Sequence, residues 1–358
     1  MNAPTAHGGP PRNTPERGTS RSGETPTPTP ATRLGRPGQT RSRPGLIDLT
    51  TRLQPRDLVI AHLLADHKVL TTAQLTQVLF TSTSAASNRL YQLRRLGVTD
   101  RFLPTPTVVA TLRCPAAHTC WVLGLLGARY VALAHEQRPP TAHAVRERQD
   151  TIAASAHLAH TLGVNQFGVD LLAHTRTHPE ARVDRWWPST RIAAALGRRV
   201  RPDAHGSWRE NDRQTAWMLE YDTGTETLTH LAAKIAGYRR LRGDGGPAWP
   251  VLFFLPGRAR ENNLHHHLAT TTPTLISPPG TATPSPATDA GVDVVVATTT
   301  RDRCRETEPA GPIWRLVGPD ETPRRLIDLP SVPGCPGPYH PCPPAPGENP
   351  LHLLHASG

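Results

Sequence analysis

Four charged residues, Asp203, Glu220, Asp222 and Lys234, lie close together in the middle of the chain, within "RPDA", "MLEYDTGTE" and "HLAAKIAGYRRL". Grouped carboxylates suit a hard divalent cation such as Mg²⁺, which takes oxygen ligands and keeps waters. A lysine beside them can orient an attacking water or stabilise charge on a phosphorane-like transition state. With a metal, these are the parts for phosphodiester hydrolysis. The alternative is a strand and a helix carrying ordinary surface charges.

The elements that must position these residues can be read from periodicity. Side chains alternate along a strand, so in "TAWMLEYD" Ala216, Met218, Glu220 and Asp222 share one face. Trp217, Leu219 and Tyr221 share the other. Two carboxylates side by side at a strand end need water, metal or a cation to neutralise them. Asp203 follows Pro202 in the preceding strand-like segment, and antiparallel pairing brings it to the same rim. The next segment predicts a helix with Leu228, Leu231, Ala232, Ile235 and Tyr238 as its buried stripe. Thr223 and Glu226 fit a capping box, which places Glu226 on the backbone and outside the site. Lys234 falls at the flank of the stripe, from which its ammonium reaches the rim. Lys68 and Lys234 are the only lysines among 40 basic residues. A lysine kept in so arginine-rich a chain marks a place where the guanidinium differs in shape and hydration from what is needed.

The formal charge of +11 and a pI near 10.3 suit an anionic partner, with double-stranded DNA the first expectation. No run of apolar residues is long enough for a transmembrane helix, and no secretory h-region is visible, so no membrane role is expected. Five cysteines in a chain of 358 residues argue for a reducing compartment, hence a cytoplasmic protein associated with nucleoid or plasmid.

Residues 1–48 are a Pro-, Thr- and Arg-rich arm too poor in apolar side chains to fold. Residues 49–137 predict three helices, "QPRDLVIAHLLADHK", "LTTAQLTQVLF" (capped by Thr71 or Thr72) and "TSTSAASNRLYQLRRLG", then two strands around a turn and a further helix. Three helices plus a hairpin is a winged helix-turn-helix. The third helix has Ala86, Leu90, Leu93 and Leu96 inside. Its outer face carries Ser84, Ser87, Asn88, Tyr91, Arg94 and Arg95, which are the candidate DNA contacts. Small polar residues there approach bases and the arginines approach phosphates. Residues 138–147 are the expected linker. Residues 148–320 predict a second domain in α-β-β-β-α-β order, opened by a long helix broken near Gly163, with a low-complexity insert at 271–290. Residues 321–358 predict a Pro-rich disordered tail. The fold class is therefore α+β or α/β.

With these motifs in view, the order and the residues of the second domain resemble the PD-(D/E)xK nuclease superfamily. The wider stretch from about 53 to 318 resembles the replication-relaxation family of bacterial plasmid and mobile-element proteins. "RRLGVTDRF", "WVLGLLGARYVA", "LAHTLGVNQFGVDL", "RPDA" and "LEYDTGTE" carry that resemblance. It implies a role in plasmid replication or DNA relaxation, with replication or mobilisation proteins as partners. The nuclease pattern expects Glu-x-Lys, whereas this chain has Glu220-Tyr221-Asp222, so Lys234 would have to substitute from the next helix. The first helix offers no obvious acidic partner; Asp150 and Asp170 are candidates, and His160 sits mid-helix. Three readings follow: a DNA-binding replication protein, a Mg²⁺-dependent nicking endonuclease using Asp203, Glu220, Asp222 and Lys234, and a transcriptional regulator with an inactive nuclease-like interaction domain. In the second, Asp203, Glu220 and Asp222 hold the metal.

Weaker signals carry milder expectations. Cys335, His340 and Cys342 match no strong zinc spacing, and Cys114 and Cys120 read as a buried thiol pair. His265, His266 and His267 read as surface. His160 and Asn165 read as a buried hydrogen-bonded pair, and Trp186, Trp187, Trp208 and Trp217 as core.

Overall fold

The computed structural model describes residues 52–112, 119–271, 294–320, 322–331 and 337–354. The basic arm, most of the 271–290 insert, Cys114 and Cys335 lie outside these residues.

The first unit begins with α1 (Pro55–His67), whose proline sits at a position where a missing N–H is harmless. After β1 (Leu70–Thr71) comes α2 (Thr72–Leu79). Thr71 caps α2, accepting from Gln74 N at 3.2 Å while the Gln74 side chain accepts from Thr71 N at 2.9 Å. Ser82 caps α3 (Thr83–Arg95) through Ala85 N at 3.2 Å. β2 (Thr99–Phe102) and β3 (Cys120–Leu123) pair antiparallel, and the sheet order is β1-β3-β2. Ala86, Leu90 and Leu93 bury their side chains against α1, α2 and Trp121, as the helical pattern predicts. The connection between β2 and β3 is longer than a turn and contains α4 (Pro106–Leu112). α5 (Leu125–Ala134) follows, packing back on α1. The second half of the expected linker is helical, in α6 (Ala142–Ala153), which buries Val145 and Gln149.

The long helical pattern breaks at residues 154–157, not at Gly163. Gly163 lies within α7 (Leu158–His174) because the helix approaches the sheet too closely there for a side chain. A Cβ on Gly163 would sit 2.4 Å from the Tyr221 ring, and one on Gly168 would sit 2.2 Å from the Trp186 ring. Such spacing lets the helix axis settle on the two rings.

The second unit is a six-stranded mixed sheet in the order β4-β5-β6-β7-β8-β9. β4 (Ala181–Pro188), β5 (Ala204–Glu210) and β6 (Arg213–Tyr221) run antiparallel. β6, β7 (Val251–Leu255) and β8 (Val296–Thr300) run parallel, joined by the crossover helices α9 (Leu228–Gly243) and α10 (Arg258–Thr271). The predicted element order is present, with α8 (Ser189–Ala195) inserted after β4. α11 (Arg301–Thr307) and β9 (Arg315–Leu316) follow β8. Trp217 and Leu219 face α7, with Phe167 edge-on to Trp217 at 5.1 Å, while Met218 faces Ile235 and Leu264 of α9 and α10. Strand alternation is thus kept, and helices cover both faces. Trp186, Trp187, Trp208 and Trp217 are all buried, as expected.

The two units share α7. Asn165 donates to the carbonyls of His67 (3.0 Å) and Val69 (2.8 Å), and Gln74 donates to Leu162 O at 2.9 Å. Arg176 donates to the carbonyls of Gln77 (2.6 Å) and Phe80 (2.9 Å) at the end of α2. Composition predicts no packing for 321–358, yet residues 337–354 pack on the second unit, on α1 and, through Glu348 and Asn349, on the edge strand β4. Glu348 accepts from Arg185 at 2.8 and 3.0 Å, and Asn349 donates to Val183 O at 2.7 Å. A buried arginine on an edge strand needs a carboxylate, and the tail brings it.

Arg89 on α3 is held by the fully buried Asp57 of α1, with Nε 2.9 Å from Oδ1. Arg89→Ala leaves that carboxylate unpaired, and the expected loss is about 3 kcal/mol of unfolding free energy. Urea denaturation followed by far-UV circular dichroism measures it; a loss near zero would show that the pair does not hold α3 to α1.

Candidate functional site

The charged cluster forms where β6 ends. Asp203 immediately precedes β5, whose Ala204 pairs with Leu219, and its amide donates to Leu219 O at 2.8 Å. That pairing brings Asp203 to the rim, as antiparallel geometry predicts. Its Oδ2 accepts from Tyr221 N at 2.8 Å and lies 3.2 Å from His160 Nε2 of α7. Glu220 is only 3% exposed. Lys234 Nζ donates to Glu220 Oε2 at 3.0 Å, and the Tyr238 hydroxyl donates to Oε1. Lys234 does reach the carboxylate rim from the flank of α9.

Three expectations need correction. First, Glu226 is not a backbone cap. Thr227 caps α9 through His230 N at 3.2 Å, so the helix begins at Leu228 and not at "TGTE". Glu226 lies just outside the helix, and its carboxylate accepts from Lys234 at 3.1 Å. Second, Asp222 does not join Glu220. The strand ends at Tyr221. Beyond it the Asp222 carboxylate turns into the loop, accepting from Gly224 N at 2.7 Å and from Arg260 of α10. Alternation holds only while the backbone stays extended. Third, His160 and Asn165 do not bond each other. His160 meets Asp203, whereas Asn165 ties α7 to the first unit. The partner that α7 brings to the rim is therefore a histidine. Asp170 instead accepts from Gln166 at 2.6 Å on the side of α7 facing the first unit.

Arg260 was not legible as a site residue, because a cation on the next crossover helix has no sequence spacing relative to Asp222. It also donates to Glu226 O, so one guanidinium ties the two loops together.

The titration of the cluster follows from burial. Burial, then the nearby Asp203 charge, pushes the Glu220 carboxyl up to about 7, against the opposing pull of Lys234 and Tyr238. Burial works against charge on Lys234, but the Glu220 and Glu226 carboxylates outweigh it and raise its ammonium above the usual range. Burial likewise opposes charge on His160, and the Asp203 hydrogen bond and charge prevail, raising it.

The arrangement does not fit the expected Mg²⁺. Both oxygens of Glu220 are taken by Lys234 and Tyr238, and both oxygens of Asp222 by Gly224 N and Arg260. Among the described residues, no three His, Cys, Asp or Glu side chains are placed to hold a metal ion.

On α3, Ser84, Asn88, Tyr91 and Arg95 are exposed and Ser87 is half-buried. Arg94 is not directed outward as a phosphate ligand: its Nε lies 3.2 Å from Asp100 and its side chain is 9% exposed. Arg101 of β2, absent from the expectations, covers the Tyr91 ring at 4.4 Å and donates to its hydroxyl. Of the weaker signals, the Cys120 thiol is buried and pushed up to about 12 by that burial. His265 bonds Thr298 Oγ1 at 2.8 Å, and Cys342 gives its carbonyl to Arg185 at 2.8 Å.

The family model of replication-relaxation matches residues 62–255, more than half of the chain, and the chain belongs to that family. Membership places its role in replication. No curated relative and no solved structure matches the chain. The matched residues include Asp203, Glu220, Asp222 and Lys234 and end before Arg260. No helix among the described residues is long and apolar enough to cross a membrane.

A carboxyl raised in the fold binds its proton more tightly than in the unfolded chain. Between the ordinary value of 4.5 and about 7, stability therefore falls as pH rises. Glu220→Gln removes this contribution, and the expected outcome is a flatter dependence of urea midpoint on pH across that window. An unchanged slope would show that Glu220 is ionised throughout.

Proposed function

We propose that this chain is a DNA-binding protein of plasmid or mobile-element replication and relaxation. Residues 49–137 act as a winged helix-turn-helix that docks α3 in the major groove of duplex DNA, and residues 148–320 act as a PD-(D/E)xK-like domain. The observation that carries this reading is the division of labour on α3. Arg89 and Arg94 are tied to Asp57 and Asp100, whereas Ser84, Asn88 and Arg95 stand exposed on the outer face. The Tyr91–Arg101 pair extends that face onto β2. Small polar groups and an untied arginine in one row suit contacts with base edges and phosphates. The α1-α2-α3 core with its β1-β3-β2 sheet supports the winged-helix reading, and the basic arm before residue 49 supplies further phosphate contacts.

A second reading is phosphodiester cleavage in the second domain with a divalent cation such as Mg²⁺. It is favoured by the meeting of Asp203, Glu220 and Lys234 at the C-terminal ends of parallel strands, where open α/β sheets take ligands. It requires a rearrangement in which Asp222 exchanges Arg260, and Glu220 exchanges Lys234 or Tyr238, for the cation.

Duplex affinity measured against salt tests the first reading. Arg95→Ala is expected to weaken binding several-fold and to reduce the salt slope by about 1. An unchanged slope would remove α3 as the reader. Nicking of supercoiled plasmid with Mg²⁺ or Mn²⁺ tests the second. The wild-type protein should nick faster than the Asp203→Ala, Glu220→Ala double variant, and equal rates would exclude cleavage at this cluster.

A further inference from the structure

A cleft of about 760 Å³ opens between α2, α7, α11 and the ends of β6 and β7. It lies on the α7 face of the sheet, opposite the Glu220–Lys234 pair. Tyr221 forms part of its wall, with its ring stacked on Phe254 at 5.1 Å and 15°. Two arginines of α11, Arg301 and Arg305, supply positive charge. The Arg301 guanidinium lies 5.5 Å from the Tyr221 ring centroid, and its buried Nε–H has no acceptor among the described residues. The nearest carboxylate to Arg305 is Asp302, at 3.9 Å with both side chains more than half exposed, which is a weak tie. Gln77 and Thr223 add an amide and a hydroxyl to the lining.

Two acids, Asp170 and Glu308, also line the cleft, against the two arginines. Burial pushes the Asp170 carboxyl up to about 7, so near neutrality it carries only part of a charge. The Glu308 carboxylate is turned to His174, 2.5 Å from its Nδ1, and its side chain is largely exposed at the edge of the cleft.

We propose that this cleft holds single-stranded DNA, with backbone phosphates on Arg301 and Arg305 and a base against Tyr221. The proposal rests on the DNA-binding reading and adds a second, separate contact to it. A cavity of this volume is of small-molecule size, far too narrow for a duplex. Cations beside an aromatic face are what strand binding without sequence preference uses, since every base has a stacking face. The location fits as well. α2 leads directly into α3, the duplex reader, and Tyr221 is the direct neighbour of Glu220. A strand in the cleft therefore lies beside the duplex-reading unit, on the face of β6 opposite Glu220. Arg301 and Arg305 lie beyond the residues that the family model matches.

The test uses the full chain and a fluorescein-labelled oligo-dT of about twelve nucleotides, a length in the range of single-strand sites. Anisotropy titrations compare the wild type with an Arg301→Ala, Arg305→Ala double variant and with Gln77→Glu, an exposed position that adds an opposing charge. Removal of two phosphate contacts is expected to weaken oligo-dT binding roughly tenfold and to flatten its salt slope by about 1.4. Gln77→Glu is expected to weaken it roughly threefold, by added repulsion at short range. Duplex affinity should stay within about twofold in both, because the duplex contacts lie on α3. Unchanged oligo-dT affinity in a folded variant overturns the proposal. So does an equal loss for single strand and duplex, which would make the cleft part of one general electrostatic surface. Should the double variant not fold, Gln77→Glu decides alone. Failure of the winged-helix reading appears elsewhere, as duplex affinity indifferent to Arg95→Ala.

Discussion

A carboxyl group buried at the end of β6 constrains much of what surrounds it. Glu220 is displayed on the α9 face of the sheet, where its neighbours in the layer are Met218, Ile235 and Phe253. A bare carboxylate in such a place is costly, so it must be protonated, paired or hydrogen-bonded. All three devices are present. Lys234 and Tyr238, one helical turn apart on α9, each take one oxygen, and burial with the Asp203 charge favours the proton. This demand sets the rotation of α9 about its axis, since only one rotation points both residues at the sheet. It also accounts for one of the two lysines in a chain whose other basic residues are arginines. A compact ammonium on a flexible stem can serve Glu220 and Glu226 together, whereas a planar guanidinium prefers one carboxylate held by two of its N–H groups.

A second constraint is the closeness of α7 to the sheet. The glycines at 163 and 168 remove side chains where Tyr221 and Trp186 stand. The helix can then deliver His160 to Asp203 at one end, while Asn165 and Arg176 fasten the first unit along its length. One helix thus forms a wall of the rim, a wall of the cleft and the attachment of α2.

Arginines in this protein divide by neighbour and not by number. Arg89, Arg94, Arg185, Arg260 and Arg303 each have a carboxylate partner and hold the frame. Arg95 on α3 stands exposed instead, and the exposed Arg305 on α11 has only the long tie to Asp302. The net charge of +11 measures the sum of the two sets, so it points to an anionic partner without saying which cations meet it.

The sequence by itself determined the things that depend on periodicity. Alternation assigned Trp217 and Leu219 to one face of β6 and Met218 and Glu220 to the other. Helical spacing identified Ala86, Leu90 and Leu93 as the inside of α3 and put Lys234 at the flank of α9. The antiparallel return brought Asp203 to Glu220. These follow from backbone geometry local to each element. Tertiary structure alone decided which charges meet. Arg260 reaches Asp222 from the next crossover helix, Glu348 reaches Arg185 from 163 residues away, and Arg94 is drawn to Asp100 instead of outward. Long charged side chains are placed by whichever opposite charge the fold brings near, and that nearness has no signature in spacing along the chain. Capping has the same dependence: Thr223 and Glu226 satisfy the pattern, yet Thr227 is the cap and Glu226 accepts from Lys234 instead.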